Sequence, residues 1–274
     1  MLPERFEYQR ASSVDDAISR LSRLGDGAKL LAGGHSLIPL MKLRLVTPGV
    51  VVDIGRLSEL RYIHDAGDHI AIGSLTRHYD LQCSKVLQRE VPLLAHVAGL
   101  VGDPPVRHRG TIGGSLAHGD PASDLPAAVM ALDGRLVVSG SHGKRTLAAT
   151  DFFRGFWETA LTPEEVLTEV QIPKGAAGWA YEKFTRRAFD WAIVGVAVVV
   201  TGTTSVQVAL ANVGPATVRA SATEQALRDG ASPAEAAGRA VEGLSPSSDV
   251  NASSEYRAHL AVVLTGRALE RALA

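Results

Sequence analysis

A single cysteine, Cys83, in 274 residues permits no internal disulfide and cannot by itself hold an iron–sulfur cluster. Alone, it reads as a small apolar residue of the interior. Charge of one sign is also scarce: 28 Lys and Arg face 29 Asp and Glu, a formal net charge of −1. That leaves no field to gather nucleic acid or an anionic membrane, and no basic run carries interleaved aromatics. Long apolar runs are missing too. The longest, Ala192 to Val200, has nine residues, whereas a membrane-spanning helix needs about 20. Met1 to Phe6 shows no basic stretch followed by an apolar core, so a cytoplasmic location is expected. No internal repeat or low-complexity tail appears. What remains, 46% hydrophobic and 21% charged, is a globular chain able to bury a substantial core, as two domains or one large subdivided one.

Two short glycine stretches dominate what is present. Ala32-Gly33-Gly34-His35-Ser36 and Thr111-Ile112-Gly113-Gly114-Ser115 each set a Gly-Gly pair beside small hydroxyl residues. Such a backbone can approach a phosphate closely and offer several N–H donors; a tight turn after a strand is the plainer reading of either alone. Neither stretch continues as a Walker A loop and neither is Gly-x-Gly-x-x-Gly. Two cradles suggest one ligand with two phosphates. His35 and His118 follow the glycine pairs, but no carboxylate or cysteine set at ligand spacing accompanies them, so no metal is expected. Ser36, His118 and Asp120 lack the Gly-x-Ser-x-Gly elbow of a hydrolase.

Taken in order, Ser13 suits the cap of a helix with apolar positions Val14, Ala17, Ile18, Leu21 and Leu24, stopped by Gly25. Lys29 to Ala32 and Val50 to Ile54 read as strands of a first lobe. Asp65 to Asp68 signals a hairpin between strands, and Thr76 is placed to cap the helix after it. Val91 to Val101 reads as a helix closed by Gly102, with Asp103-Pro104-Pro105 forbidding its continuation and the chain extended from Val106. Leu125 to Leu132 forms a helix with Asp124 at its cap, and Arg135 to Ser139 and Leu167 to Ile172 form strands. Small residues from Lys174 to Gly178 mark a boundary. Beyond it, Trp191 to Val200 and Ser205 to Val213 flank a hairpin turn at Gly202-Thr203-Thr204, and three Ala-rich helices follow, Ser221 to Arg228, Pro233 to Val241 and Glu255 to the end.

Lys29-Leu-Leu-Ala-Gly-Gly-His-Ser-Leu-Ile-Pro39 together with Asp103-Pro-Pro-Val-Arg-His-Arg-Gly-Thr-Ile-Gly-Gly-Ser115 resembles the FAD-binding medium subunit of molybdenum hydroxylases, the group of carbon monoxide dehydrogenase and xanthine dehydrogenase. The resemblance runs through essentially the whole chain. It implies an α+β fold: a two-lobed FAD-binding domain of the vanillyl-alcohol oxidase/PCMH type over 1–175, with lobes of about 1–55 and 56–175. A smaller C-terminal domain, 176–274, carries an antiparallel sheet and helices. It implies FAD as cofactor, held by Lys29, Leu30, Leu31, Ala32, Gly33, Gly34, His35, Ser36 and Leu37, by Val101, and by Thr111, Ile112, Gly113, Gly114 and Ser115. Backbone amides and the hydroxyls of Ser36, Thr111 and Ser115 would hold the diphosphate. Asp124 matches a position that accepts a hydrogen bond from the adenosine part, and a plain helix cap is the alternative. Lys29 is either a charge near the diphosphate or a solvated strand residue. Leu167 matches an apolar contact to the ring systems, with ordinary core as the alternative. Lys183 and Trp191 belong to a segment that resembles the family's isoalloxazine-facing stretch, in which Arg186, Arg187 and Asp190 are alternatively a domain-bridging ion pair. Ser115 stands where related subunits often carry Asn. The function implied is electron transfer without substrate chemistry of its own. The partners implied are a [2Fe–2S] small subunit and a molybdopterin-containing large subunit, in a dimer of heterotrimers. A free-standing FAD-dependent oxidase or reductase of the same wider fold and a nucleotide-binding or assembly module without redox role are the competing readings.

Overall fold

Ser13 accepts a hydrogen bond from the Asp16 amide and starts the Val14–Leu24 helix, which buries Ala17, Ile18 and Leu21 and ends at Gly25 with φ 58°. Apolar spacing, cap and stop all agree with the sequence. The computed structural model describes residues 2–202 and 205–274. Met1, Thr203 and Thr204 lie outside the described residues, and so does most of the turn expected at Gly202. The strands on either side of it, Val194–Thr201 and Ser205–Ala211, pair antiparallel throughout.

The first lobe is a three-stranded parallel sheet, with Val50–Asp53 between Glu7–Arg10 and Ala28–Leu31. The Val14–Leu24 helix packs on it, sharing an apolar cluster with Val52, Ile54, Leu57, Leu60 and Val166. The second lobe is a five-stranded antiparallel sheet in the order Ile63–Asp65, His69–Gly73, Val166–Pro173, Arg135–Gly140, Gly143–Ala148. Its Ile70, Ile72, Leu136, Val138, Val170 and Ile172 join one cluster with residues of the Pro92–Leu100, Ile112–His118 and Asp124–Ala131 helices. Because Val166–Pro173 serves the clusters of both lobes, the two are welded along this strand.

The third layer is a four-stranded antiparallel sheet, Ala176–Phe184, Val194–Thr201, Ser205–Ala211 and Val218–Arg219. Successive side chains of a strand point to opposite faces. Val194, Val196, Val198 and Val200 therefore pack with Leu260, Leu264 and Ala268 of the Ser254–Leu273 helix, while Ala197 and Val199 join the cluster of the second lobe. Of the nine-residue apolar run, Val194 to Val200 lie in a strand buried on both faces, and Ala192 and Ile193 precede it. Among the described residues no helix is long and apolar enough to cross a membrane.

Several local expectations are corrected. Cys83, expected inside, is exposed. Asp103 caps a single helical turn, Pro104–Arg107, by accepting from the Val106 amide at 2.9 Å, so the chain is not extended from Val106. Proline fits a first helical turn, where its missing N–H has no intrahelical partner to lose. Thr76 does not cap the His78–Cys83 helix; its hydroxyl donates to the Tyr62 carbonyl. Asp124 is the first residue inside its helix, and Ser123 holds the cap position. Three short helices, Leu37–Lys42, His78–Cys83 and Lys85–Glu90, are too brief to show a period in the sequence.

Candidate functional site

A cavity of about 780 Å³ opens where the three layers meet. Its wall combines Lys29, Leu30, Ala32 to Leu37, Val101, Thr111, Gly113 to Ser115, Asp124, Leu167, Lys183 and Trp191. All but two of the site residues named from the sequence thus fall on one continuous surface drawn from all three sheets. Leu31 and Ile112 are the exceptions. Leu31 faces a second, smaller cavity behind the first, and Ile112 is fully buried in the core.

The first glycine stretch leaves the end of the Ala28–Leu31 strand and turns through Gly34 at φ 78°, a left-handed conformation that costs glycine nothing. Among the described residues the amides of Gly33, Gly34, His35 and Ser36 have no hydrogen-bond acceptor. Successive unpaired amides around a left-handed residue form a concave donor site suited to phosphate oxygens. The Ser36 hydroxyl adds a donor, for it makes no cap bond to the following helix. Gly33 is required for a separate reason. A Cβ there would stand 2.3 Å from the Arg109 carbonyl oxygen, so the first stretch lies directly against the segment leading into the second.

The second stretch is built differently from the equal cradle the sequence suggests. Thr111 is the N-cap of the Ile112–His118 helix, and its hydroxyl oxygen accepts from the Gly114 amide at 3.1 Å. The Ile112 amide donates to the Thr76 carbonyl, Gly113 to the Ser74 carbonyl and Ser115 to the Thr111 carbonyl. Its four amides are therefore spoken for. What this turn offers the cavity is the hydroxyl hydrogens of Thr111 and Ser115. Gly113 serves packing: a Cβ would meet Ser74 at 2.5 Å.

Asp124 forms the polar anchor of the opposite wall. Its carboxylate accepts from the Tyr181 hydroxyl at 2.7 Å and from the Lys183 ammonium at 2.8 Å, and Lys183 also donates to the Leu100 carbonyl at 3.3 Å. Burial pushes the Asp124 carboxyl above the usual carboxylate range, while Lys183 and Tyr181 pull it back. Burial and the facing carboxylate drive the Tyr181 phenol well above its ordinary value. A plain cap is thus replaced by a link between the second and third layers. Lys183 retains one of its three protons for the cavity.

Sequence reasoning missed other parts of the wall. His78, at 4% exposure, stands beside the Gly110 backbone, and burial followed by the charges of His35 and Arg107 lowers its pKa to about 4. It is neutral at physiological pH. Trp157 and Phe189 reach the wall from left-handed backbone positions at φ 56° and 67°, and Trp157 stacks on His118 with centroids 5.8 Å apart. No periodic pattern marks these loop residues. Trp191, Phe189 and Trp157 remain 65%, 66% and 44% exposed, so the cavity mouth has an aromatic rim. Among the described residues Arg186, Arg187 and Asp190 form no ion pair with one another, which removes the bridging alternative. Asp190 lines the cavity instead.

Residues 4–175 match the family model described as FAD binding domain in molybdopterin dehydrogenase, and residues 179–272 match that described as CO dehydrogenase flavoprotein C-terminal domain. The chain is 42% identical to the carbon monoxide dehydrogenase medium chain of Hydrogenophaga pseudoflava, over 100% of this chain and 99% of that one. It is 37% identical to the 6-hydroxypseudooxynicotine dehydrogenase complex subunit alpha of Paenarthrobacter nicotinovorans, over 100% of this chain and 96% of that one. Among solved structures, a chain of the Hydrogenophaga pseudoflava carbon monoxide dehydrogenase that lacks the Mo-pyranopterin moiety superposes with a TM-score of 0.95 at 43% identity, covering 99% of this chain and 98% of that chain.

Proposed function

The chain belongs to the FAD-binding family of molybdopterin dehydrogenases, and from that membership we propose that it is the flavin-bearing, electron-transferring subunit of a molybdenum-containing hydroxylase complex. The observation that carries the reading is the cavity's donor set. Unpaired amides at Gly33 to Ser36 and hydroxyls at Ser36, Thr111 and Ser115 line one wall of a space within the usual range for cofactor sites. Those residues would hold the diphosphate of FAD. Leu167 and Val101 supply apolar contact, Asp124 accepts from the adenosine part, and Lys183 and Trp191 border the isoalloxazine. We assign the flavin site to residues 1–175 and its closing wall to 176–274. FAD supplies redox chemistry between a one-electron donor and an external acceptor.

Substrate oxidation belongs to a partner. Relatives at 42% and 37% identity carry the names of unlike substrates, carbon monoxide and 6-hydroxypseudooxynicotine. A chain that bound the substrate would need different walls for them. The partners are a [2Fe–2S] small subunit and a molybdopterin-containing large subunit, arranged as a dimer of heterotrimers. The aromatic rim at Trp157, Phe189 and Trp191 suits the face through which the flavin meets its electron donor. A cytoplasmic complex is consistent with a free, exposed Cys83.

Titration of the flavin-free chain tests the cofactor assignment. FAD binds at one per chain, and FMN, lacking the second phosphate and the adenosine, binds much more weakly. Equal affinity for the two would remove the diphosphate and adenosine contacts from the account.

A further inference from the structure

Behind the flavin cavity lies a second one of about 280 Å³, sharing the wall formed by Ala32, Gly33, Leu75 and Thr111. Its lining is dominated by Arg10, Arg56, Arg61, Arg77 and Arg109, with Asp53 the one carboxylate among the lining residues. In a chain of net charge −1 this is a sharp local excess of positive charge. Asp53 does not neutralise it. Its carboxylate accepts from the Tyr8 hydroxyl at 2.5 Å and the Gly55 amide at 2.7 Å. Among the described residues none of the five guanidinium groups forms an ion pair; Arg61 donates to the Gly55 carbonyl.

The backbone explains the convergence. Arg77 and Thr111 pair as an isolated antiparallel bridge. That bridge sets the turn that carries Leu75 beside the turn that carries Arg109, and all four residues line the same cavity. Arg10 ends the first parallel strand opposite Asp53 in register, and Arg56 and Arg61 flank the turn that follows. Four separate segments thus contribute arginines to the lining of one concavity. Five like charges set against one carboxylate repel, and an oxyanion lowers that cost while accepting paired N–H bonds from the planar forks.

We propose that this cavity is a binding site for a phosphate-type oxyanion, distinct from the flavin cavity. The volume suits inorganic phosphate, pyrophosphate or the phosphate end of a nucleotide, and is too small for a dinucleotide such as FAD. The assignment is independent of what oxidises the flavin. It is tested on the full chain loaded with FAD, so that the diphosphate cradle is filled, by calorimetric titration with sodium phosphate, sodium pyrophosphate and ADP at low ionic strength. One pyrophosphate binds saturably per chain. The double variant Arg10→Gln/Arg56→Gln, both exposed positions outside the flavin wall, weakens that binding by about tenfold or more. Its flavin absorbance and circular dichroism stay those of the parent. ADP binding no more tightly than pyrophosphate identifies free phosphate as the ligand, and tighter ADP binding identifies a nucleotide phosphate. Heats of dilution alone, an affinity indifferent to the arginine changes, or binding seen only after FAD is stripped would overturn the proposal.

Discussion

Asp124 shows how far a residue's role departs from its sequence context. Next to Leu125 and Pro126 it reads as a helix cap, and its partners Tyr181 and Lys183 lie 57 and 59 residues away, beyond any local pattern. Removing Lys183 leaves a buried carboxylate uncompensated, whereas removing the Tyr181 hydroxyl deletes one charge-assisted bond. Lys183→Met should therefore cost about 3–5 kcal/mol of stability, and Tyr181→Phe about 1.5–3 kcal/mol. Urea unfolding of the flavin-free proteins checks both, and equal small losses would place the triad outside the stabilising framework. His78 was not legible either, since a histidine after Arg77 carries no signal of burial. Its folded pKa of about 4 lies below the ordinary 6.5. Between those values the unfolded chain takes up a proton that the folded chain refuses, so stability falls as pH drops through this window. The loss attributable to His78 is about 3 kcal/mol once pH is below the folded value. Melting curves from pH 7.5 to 4 should steepen in this range, and His78→Gln should lose much of the slope. A residual slope remains, because burial also lowers the pKa values of His35, His96 and His118. Identical slopes in parent and variant would refute the assignment.

At the scale of elements, the two glycine stretches look alike in sequence and are unlike in structure. The first ends a strand and keeps its amides free, and the second sits in the first turn of a helix with its amides paired. The composition of each was legible. What decided between them was the identity of the neighbouring strand ends, Thr76 and Ser74, which take the Ile112 and Gly113 amides and lie far back in the chain. The two stretches should therefore fail in different ways. Gly113→Ala drives a Cβ into Ser74 and should lower the melting temperature of the flavin-free protein, with a cost on the order of 1–3 kcal/mol. Ser36→Ala should leave that temperature unchanged and weaken FAD binding by about 0.5–1.5 kcal/mol. Differential scanning calorimetry beside a flavin titration separates the two. The opposite pattern would restore the second stretch as the cradle. Long amphipathic elements such as Val14–Leu24 were legible because spacing, cap and stop act locally. The pair Pro104–Pro105 misled, since a proline that ends one helix also begins the next turn.

For the whole molecule, the sequence motifs lie on the first two layers and the segment from Lys183 to Trp191 on the third, and the cavity exists because the third layer folds back over the other two. That return was readable only through the resemblance. The alternation of Val194 to Val200 reveals one buried strand, but not that its second face packs on the Asp124–Ala131 helix. The aromatic rim likewise belongs to loops whose positions depend on the assembled layers. A cavity mouth bordered by exposed aromatics, on a chain whose relatives are named for unlike substrates, points to electrons arriving from a partner surface. The most direct test is anaerobic reduction of the purified, FAD-loaded single chain, followed by flavin absorbance. Dithionite bleaches the flavin, whereas carbon monoxide, purines and aromatic acids leave it oxidised. Rapid bleaching by any such substrate, with iron and molybdenum absent from the preparation, would contradict the account and make the chain an oxidase in its own right.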